Sequence, residues 1–305
     1  MKHAKIPLKK CVSAIPCPTN LMKIIDGKIL AEKIKDTIAK EIHAYGGARP
    51  GLAIILVGER PDSALYVNRK EKQALSVGID THVYRCDDDI SEENLISMID
   101  FLNKDEAVDA ILVQLPLPAH LNTDRVVNTI LPEKDVDGFT KKNLELLMSS
   151  KPAEAILPPV YAVIIAMLQS VDCDLMNKHV VLLANSDIFE NNLAEVLRRQ
   201  GATVTIASAD DPMLISRTTQ ADILISAIGR PHFITKKMIK NGAIIIDIGI
   251  TMNAENKPEG DVDFEDVSRQ AAFITPVPGG VGPMTIAMAF WNTLQIFKKR
   301  KPLQS

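Results

Sequence analysis

Short runs of apolar residues alternate with segments of helical periodicity along most of this 305-residue chain. The predicted strands are 52–57, 83–86 and 110–113 in the first half, then 180–183, 203–206, 223–225 and 244–247. Strands that are apolar at nearly every position are typical of parallel sheets covered by helices on both faces. The pattern therefore predicts two α/β lobes, joined near residues 150–160.

The segments between these strands carry apolar residues at helical spacing. Helices are predicted over residues 29–45, 63–77, 92–102 and 284–298, with Pro61-Asp62-Ser63 as a start signal for the second. No repeat of solenoid period is present.

The composition excludes several classes of function. A net charge of -3 gives no indication of nucleic acid or an acidic membrane as a partner, and 4% aromatic residues are too few for base-stacking surfaces. No apolar run approaches the ~18 residues of a membrane span. The four scattered cysteines, Cys11, Cys17, Cys86 and Cys173, show no metal-ligand spacing and favour a reducing, cytoplasmic location.

Residues 1–21 are basic, contain proline and show no periodicity. They are predicted to be a disordered extension, with a targeting arm or a start at Met22 as alternatives. The apolar stretch within them is too short for a secretory signal.

The segment Pro276–Thr285 contains three prolines and three glycines between an apolar run and a predicted helix. Glycine permits positive φ and close approach of the backbone to a ligand, while proline stiffens the loop. The composition favours a surface for a flat small molecule over an ordinary strand-to-helix turn.

Four polar residues of the first lobe are candidates for chemistry. Tyr66 and Lys70 are four positions apart and share a helical face. Gln114 ends a predicted strand, where ligands bind in open α/β sheets, and Asp137 lies in a turn. The alternatives are a half-buried core position for Tyr66, a solvated charge for Lys70 and a turn cap for Asp137.

Taken together, these segments resemble the methylenetetrahydrofolate dehydrogenase/cyclohydrolase family. The resemblance rests on Ser63-x-x-Tyr66-x-x-x-Lys70, on Gln114-Leu115-Pro116-Leu117-Pro118, on Lys134–Phe139 and on Pro276–Thr285, in that order, and it runs from about Lys23 to the C-terminus. It implies interconversion of methylene-, methenyl- and 10-formyl-tetrahydrofolate.

The resemblance also implies roles for individual residues. Lys70 would handle protons at the one-carbon bridge, Gln114 would tune its charge, and Tyr66 would stack on the folate. Asp137 would accept hydrogen bonds from the pterin. The backbone of Pro278, Gly279 and Gly280 would lie along the ligand.

The same resemblance implies a division into domains. Residues 22–155 plus 284–305 would form an α/β folate-binding domain, and 156–283 a Rossmann-type dinucleotide-binding domain, with a cleft between them. The cofactor would be NADP, contacted through Ser186, Ala227, Gly229 and Ile250. A cytoplasmic homodimer that binds tetrahydrofolate derivatives is expected.

The second lobe departs from the family at the phosphate loop, which there reads roughly Gly-Arg-Ser-x-x-Val-Gly-x-Pro. The aligned stretch here, Ala184–Asn192, keeps only the serine, and Asn185 and Glu190 replace the arginine and a glycine. After the next strand the family's Cys-His-Ser-x-Thr is here Ala207–Asp211, so a second phosphate contact is missing and two acids are present. At the domain junction the family's Thr and Gly are absent around Tyr161. NADP, NAD or no cofactor therefore remain open, as do a cyclohydrolase with a silent dehydrogenase and a non-catalytic folate-binding homologue.

Overall fold

A computed structural model describes residues 23–58 and 61–302, without the side chains of residues 61–66. The extension predicted over residues 1–21 lies outside the described residues. The chain divides into two compact units, one containing Glu32–Pro159 and 286–302, the other containing 23–31 and Val160–Thr285.

The strands and helices follow the predicted alternation. The strands are β1 (Lys23–Ile24), β2 (Gly51–Val57), β3 (Asp80–Cys86), β4 (Ala110–Val113), β5 (His179–Ala184), β6 (Thr203–Ala207), β7 (Ile223–Ala227), β8 (Ile244–Asp247), β9 (Thr251–Met252), β10 (Pro258–Glu259) and β11 (Phe273–Ile274). The helices are α1 (Gly27–His43), α2 (Pro61–Val77), α3 (Glu92–Lys104), α4 (Thr123–Thr129), α5 (Lys141–Met148), α6 (Pro159–Ser170), α7 (Asp187–Arg198), α8 (Leu214–Thr218), α9 (Phe264–Ser268) and α10 (Val281–Arg300).

The first unit contains a three-stranded parallel sheet in the order β3-β2-β4. All seven residues of the central strand β2 are buried, which explains its continuous apolar sequence. Helix α3 shows how the local sequence sets an element. Ser91 caps its first turn by accepting a hydrogen bond from the Asn94 N–H, and Leu95, Ile99 and Leu102 place one apolar stripe in the core.

The second unit contains a six-stranded sheet in the order β1-β11-β8-β7-β5-β6, with parallel pairing throughout. The predicted α/β class with a Rossmann-type parallel sheet is confirmed. Strand β1 pairs with β11 and so places residues 23–31 in this unit, whereas the sequence grouped residues from 22 onward with the first lobe.

The last helix begins at Val281, three residues before its predicted start. Pro283 therefore lies in the first turn, where a missing N–H is tolerated because that group has no helical partner. The predicted ten-residue loop is correspondingly shorter and covers residues 276–280. No helix in the described ranges is both long enough and apolar enough to cross a membrane.

Candidate active site and dinucleotide site

Lys70 and Gln114 meet at the carboxyl end of β4. Lys70 lies on α2, and its Nζ donates a hydrogen bond of 3.0 Å to the Oε1 of Gln114. The Gln114 backbone N–H donates to the carbonyl oxygen of Ile55 at 2.8 Å, which fixes Gln114 against the central strand. The structure thus joins two of the predicted residues from separate elements.

The side-chain amide of Gln114 is oriented from both ends. Its Nε2 donates to the carbonyl oxygen of Leu115 at 2.8 Å, which leaves Oε1 to face Lys70. Burial lowers the pKa of Lys70, and the charge of Asp137 opposes part of that shift. A lysine with a lowered pKa is suited to accepting a proton near neutral pH.

Asp137 reaches the same end of the sheet because residues 134–136 run parallel to β4. Ile111 bridges to Asp135, and its N–H donates to the carbonyl oxygen of Lys134 at 2.7 Å. Asp137, two residues further on, is half-buried. Burial raises its pKa to about 6, with Lys70 lowering it and Asp135 adding to the rise.

Asp135 and Asp137 have different surroundings although they are two residues apart. The buried Asp135 carboxylate accepts hydrogen bonds from the N–H groups of Gly138 (2.9 Å) and Thr140 (2.8 Å) and from the Asn143 amide (3.0 Å). Through these hydrogen bonds Asp135 stabilises the turn at residues 135–140. The Asp137 carboxylate instead interacts with the charge of Lys70.

Gly138 is required at its position in this turn. Its φ is +67°, and a Cβ there would lie 2.4 Å from the carbonyl oxygen of Ile156. Asn292 of α10 links the segment at Val136 to the segment at Leu157, because its side-chain amide donates hydrogen bonds to the carbonyl oxygens of Val136 (2.9 Å) and Leu157 (3.0 Å). Sequence reasoning missed Asn292; an amide within the apolar part of this helix was the available signal.

Tyr66 lies on α2, one turn before Lys70. Its side chain is outside the described residues, so its stacking role stays a prediction.

Pro278, Gly279 and Gly280 belong to the second unit, where they connect β11 to α10. Gly279 has a φ of +111°, a value that L side chains rarely adopt. A Cβ on Gly27 would lie 1.8 Å from the carbonyl oxygen of Gly280, so α1 begins against bare backbone. Gly280 is buried at this contact, and the role of the turn along a ligand stays a prediction.

The four residues predicted to contact a dinucleotide collect at one edge of the six-stranded sheet. Ser186 follows β5, Ala227 ends β7, Gly229 follows it, and Ile250 follows β8, and these three strands are adjacent. In open parallel sheets this carboxyl edge is where nucleotides bind.

The stretch aligned with the family's phosphate loop is largely helical. Ser186 caps α7 by accepting a hydrogen bond from the Phe189 N–H at 3.4 Å, and Asp187 and Glu190 fill the first turn. Burial raises the pKa of Glu190, and Asp187 adds to the rise. Asn192 lies inside the helix, where the family's proline would cost about 3 kcal/mol.

Tyr161 and Phe189 occupy the space beside that first turn. Tyr161 is fully buried, donates to the carbonyl oxygen of Phe189 at 3.0 Å, and its ring centroid lies 5.5 Å from the Phe189 ring. Phe189 stands where the family's phosphate-loop pattern has valine.

Two buried aspartates organise the loops at this edge, and sequence reasoning missed both roles. Asp261 accepts hydrogen bonds from Ser226 Oγ (2.7 Å) and from the N–H groups of Ile228 (2.8 Å) and Arg230 (2.9 Å). It thereby fixes the chain around Gly229.

Asp247 accepts hydrogen bonds from the N–H groups of Gly249, Asp261 and Val262. Burial raises its pKa to about 7. A Cβ on Gly249 would lie 2.2 Å from Asp261, and one on Gly260 would lie 2.2 Å from Asp247. A glycine one residue before Asp261 and one two residues after Asp247 were the available signals.

The described features define a class: a two-unit α/β protein with a lysine–glutamine pair at one sheet edge and a Rossmann-type unit. Family models for tetrahydrofolate dehydrogenase/cyclohydrolase match residues 25–137 (catalytic domain) and 158–301 (NAD(P)-binding domain). The chain belongs to the tetrahydrofolate dehydrogenase/cyclohydrolase family.

Individual relatives agree over almost the whole chain. The bifunctional protein FolD of Streptococcus uberis is 43% identical over 283 residues, which are 92% of this chain and 99% of that protein. The crystal structure of FolD from Campylobacter jejuni has a TM-score of 0.88 at 38% identity and covers 92% of this chain and 100% of that one. FolD from Trypanosoma brucei, solved with NADP and an inhibitor, has a TM-score of 0.86 at 34% identity and covers 92% and 98%.

Proposed function

We propose that this protein interconverts 5,10-methylene-, 5,10-methenyl- and 10-formyl-tetrahydrofolate, as a dehydrogenase and a cyclohydrolase. The observation that carries the proposal is the Lys70–Gln114 hydrogen bond beside the half-buried Asp137. A proton acceptor with a lowered pKa next to a carboxylate suits a ligand that combines a reacting carbon with ring N–H donors. Family membership supports both reactions.

In the cyclohydrolase step, Lys70 in its neutral form accepts a proton from the water whose oxygen bonds to the methenyl carbon. The ring then opens as the bond from that carbon to one nitrogen breaks. The added hydroxyl loses its proton as the C=O bond forms, the leaving nitrogen gains a proton, and the formyl group stays on the other nitrogen. Gln114 holds the amine without adding a negative charge that would favour its protonated form. Asp137 accepts hydrogen bonds from the pterin and so orients the ligand, and Tyr66 stacks on it.

The dehydrogenase step needs a nicotinamide dinucleotide, which accepts the hydride leaving the methylene carbon. We assign its binding to the second unit, at the edge with Ser186, Ala227, Gly229 and Ile250. The parallel sheet and the loops fixed by Asp261 fit a dinucleotide. The acidic first turn of α7 does not fit the phosphate grip of the family, which argues against NADP as the cofactor.

That acidic turn also favours a second candidate function, a cyclohydrolase whose dehydrogenase is silent. A non-catalytic folate-binding protein is disfavoured, because a mere binding site has no need of a lysine poised for proton transfer.

The proposal is tested by assaying the purified chain for both reactions. Hydrolysis of 5,10-methenyl-tetrahydrofolate without any dinucleotide is expected, and it is followed by the loss of methenyl absorbance. Oxidation of 5,10-methylene-tetrahydrofolate is then measured with NAD and with NADP. Hydrolysis without oxidation in either case selects the second candidate, and absence of both reactions contradicts the proposal.

We also propose a homodimer formed through the second unit, and a cytoplasmic location. Strand β6 lies at the edge of the six-stranded sheet. Met213, which caps the following helix, and Ile215 within it are 55% and 57% exposed, an arrangement that suits a partner surface.

Cys86 and Cys173 are free thiols, in keeping with a reducing compartment. Light scattering of the purified chain and fractionation of cells test the two proposals.

A further inference from the structure

A cavity of about 580 Å³ opens at the carboxyl ends of β5 and β6. Its lining includes four acidic residues, and none of its lining residues is lysine or arginine. The four are Asp187, Glu190, Asp210 and Asp211. In Rossmann-type units an acidic residue after the second strand accepts hydrogen bonds from ribose hydroxyls. Counted with β5 as the first strand, β6 is the second, and Asp210 and Asp211 follow it.

We propose that this cavity accepts an adenosine ribose with free 2′ and 3′ hydroxyls and rejects a 2′-phosphate, so that the second unit selects NAD over NADP. The inference rests on the dinucleotide binding of the proposed function. It assigns the selection to Asp210 and Glu190.

The guanidinium groups near the cavity are already paired with its carboxylates. Arg230 Nη1 and Nη2 lie 3.1 and 3.3 Å from the two carboxylate oxygens of Asp210. Arg217 Nε lies 2.8 Å from Asp211 Oδ2. A guanidinium group is best suited to a 2′-phosphate because it can donate two parallel hydrogen bonds. Here the Asp210 carboxylate already accepts both of these hydrogen bonds from Arg230.

The Asp210–Arg230 pair is open to solvent, with 81% and 46% of the two side chains exposed. An exposed pair is weak and is readily rearranged. A phosphate that displaced Asp210 from Arg230 would still face that carboxylate together with Asp187 and Glu190. Ribose hydroxyls, in contrast, donate hydrogen bonds to carboxylates without any charge repulsion.

The two acids of α7, Asp187 and Glu190, have different consequences for the choice between NAD and NADP. Both NAD and NADP carry the same pyrophosphate, so repulsion between it and Asp187 weakens both alike and does not discriminate. Specificity is a difference of affinities, and the only chemical difference here is the 2′-phosphate. Asp210 controls that difference through Arg230, and Glu190 through direct repulsion.

The test is calorimetric titration of the full-length protein with NAD and NADP, repeated with 5′-AMP and adenosine 2′,5′-bisphosphate. The variants are Asp210→Asn, which frees Arg230, and Glu190→Gln, which removes a charge independently of Arg230. Glu255→Gln is the control, since Glu255 belongs to the same unit, pairs with Lys257 and does not line the cavity.

We expect NAD to bind the parent at least about tenfold more tightly than NADP, the scale of one charge-assisted contact. Asp210→Asn should tighten NADP and the bisphosphate by about tenfold without tightening NAD or 5′-AMP, and Glu190→Gln should act in the same direction. The control should leave the ratio of the NAD and NADP affinities unchanged, and raised salt should bring the two affinities closer together.

Equal or tighter binding of NADP by the parent overturns the inference but leaves dinucleotide binding intact. An unchanged ratio in both variants overturns the roles of Asp210 and Glu190. If neither NAD nor NADP binds, the inference and the proposed dehydrogenase both fail, whereas hydrolysis of methenyl-tetrahydrofolate reports separately on the first unit.

Discussion

The ammonium nitrogen of Lys70 lies 3.0 Å from the side-chain oxygen of Gln114, although the two residues are 44 positions apart in the sequence. One stands on a helix and the other follows a strand. The hydrogen bond positions the lysine, and burial lowers its pKa. The neutral amide therefore orients the lysine without adding a negative charge that would favour its protonated form.

Replacing Lys70 by methionine should abolish the cyclohydrolase activity while the protein still folds. Methionine has a similar length and no titratable group, and loss of a general base costs about 100-fold or more in rate. Hydrolysis of 5,10-methenyl-tetrahydrofolate and thermal unfolding are the two measurements. Lys72→Met is the matched control, because Lys72 is exposed on the same helix. A rate within a few-fold of the parent removes Lys70 from the mechanism.

Replacing Gln114 by glutamate should move the pH profile of hydrolysis. A carboxylate at hydrogen-bond distance raises the pKa of a lysine, by about 1 unit or more. If neutral Lys70 is the base, the acidic limb of the rate profile shifts to higher pH by that amount. Asn94→Asp adds a single negative charge at an exposed position of α3 and should leave the limb in place. An unshifted limb in Gln114→Glu contradicts the positioning role.

Asp137→Ala should weaken binding of a folate analogue by about 2 kcal/mol or more, the scale of losing a buried charge-assisted hydrogen bond. Calorimetry measures the change directly. Affinity equal to that of the parent would show that the carboxylate does not contact the pterin.

The pH dependence of folate binding should also depend on Asp137. Its pKa of about 6 in the free protein means that the carboxylate is protonated below pH 6 and loses its acceptor character for the pterin N–H groups. Affinity should therefore fall by up to about tenfold for each pH unit below 6. Asp137→Asn controls for ionisation of the ligand, and the difference between the two curves isolates Asp137. Parallel curves contradict the assignment.

Gly138→Ala should destabilise the first unit and weaken folate binding. The new Cβ would combine a left-handed backbone, which costs about 1–2 kcal/mol, with a steric clash against the carbonyl oxygen of Ile156. Gly46→Ala is a close control, since Gly46 has a φ of +65° and open space around its Cβ position. Denaturant unfolding should show a clearly larger loss of unfolding free energy for Gly138→Ala than for Gly46→Ala. Equal losses of unfolding free energy would exclude the clash.

Local periodicity in the sequence was sufficient for most of the fold. Strand β4 and strand β8 have their predicted bounds, because all of β4 and the first three positions of β8 are apolar, as expected of strands covered on both faces. The family motifs, read along the chain, also pointed to Lys70, Gln114 and Asp137. These features depend on residue type and short spacing, which the sequence displays directly.

Tertiary structure alone decided how neighbouring residues divide their tasks. Asp135 and Asp137 look equivalent in sequence, yet Asp135 accepts hydrogen bonds from the Gly138 turn and from Asn143, whereas Asp137 interacts with the charge of Lys70. Likewise, Asp210 became informative only once its carboxylate was found against Arg230. The physical reason is that hydrogen bonding, burial and charge act through space between residues distant in sequence, whereas helical and strand periodicity records only which face of each element meets the core.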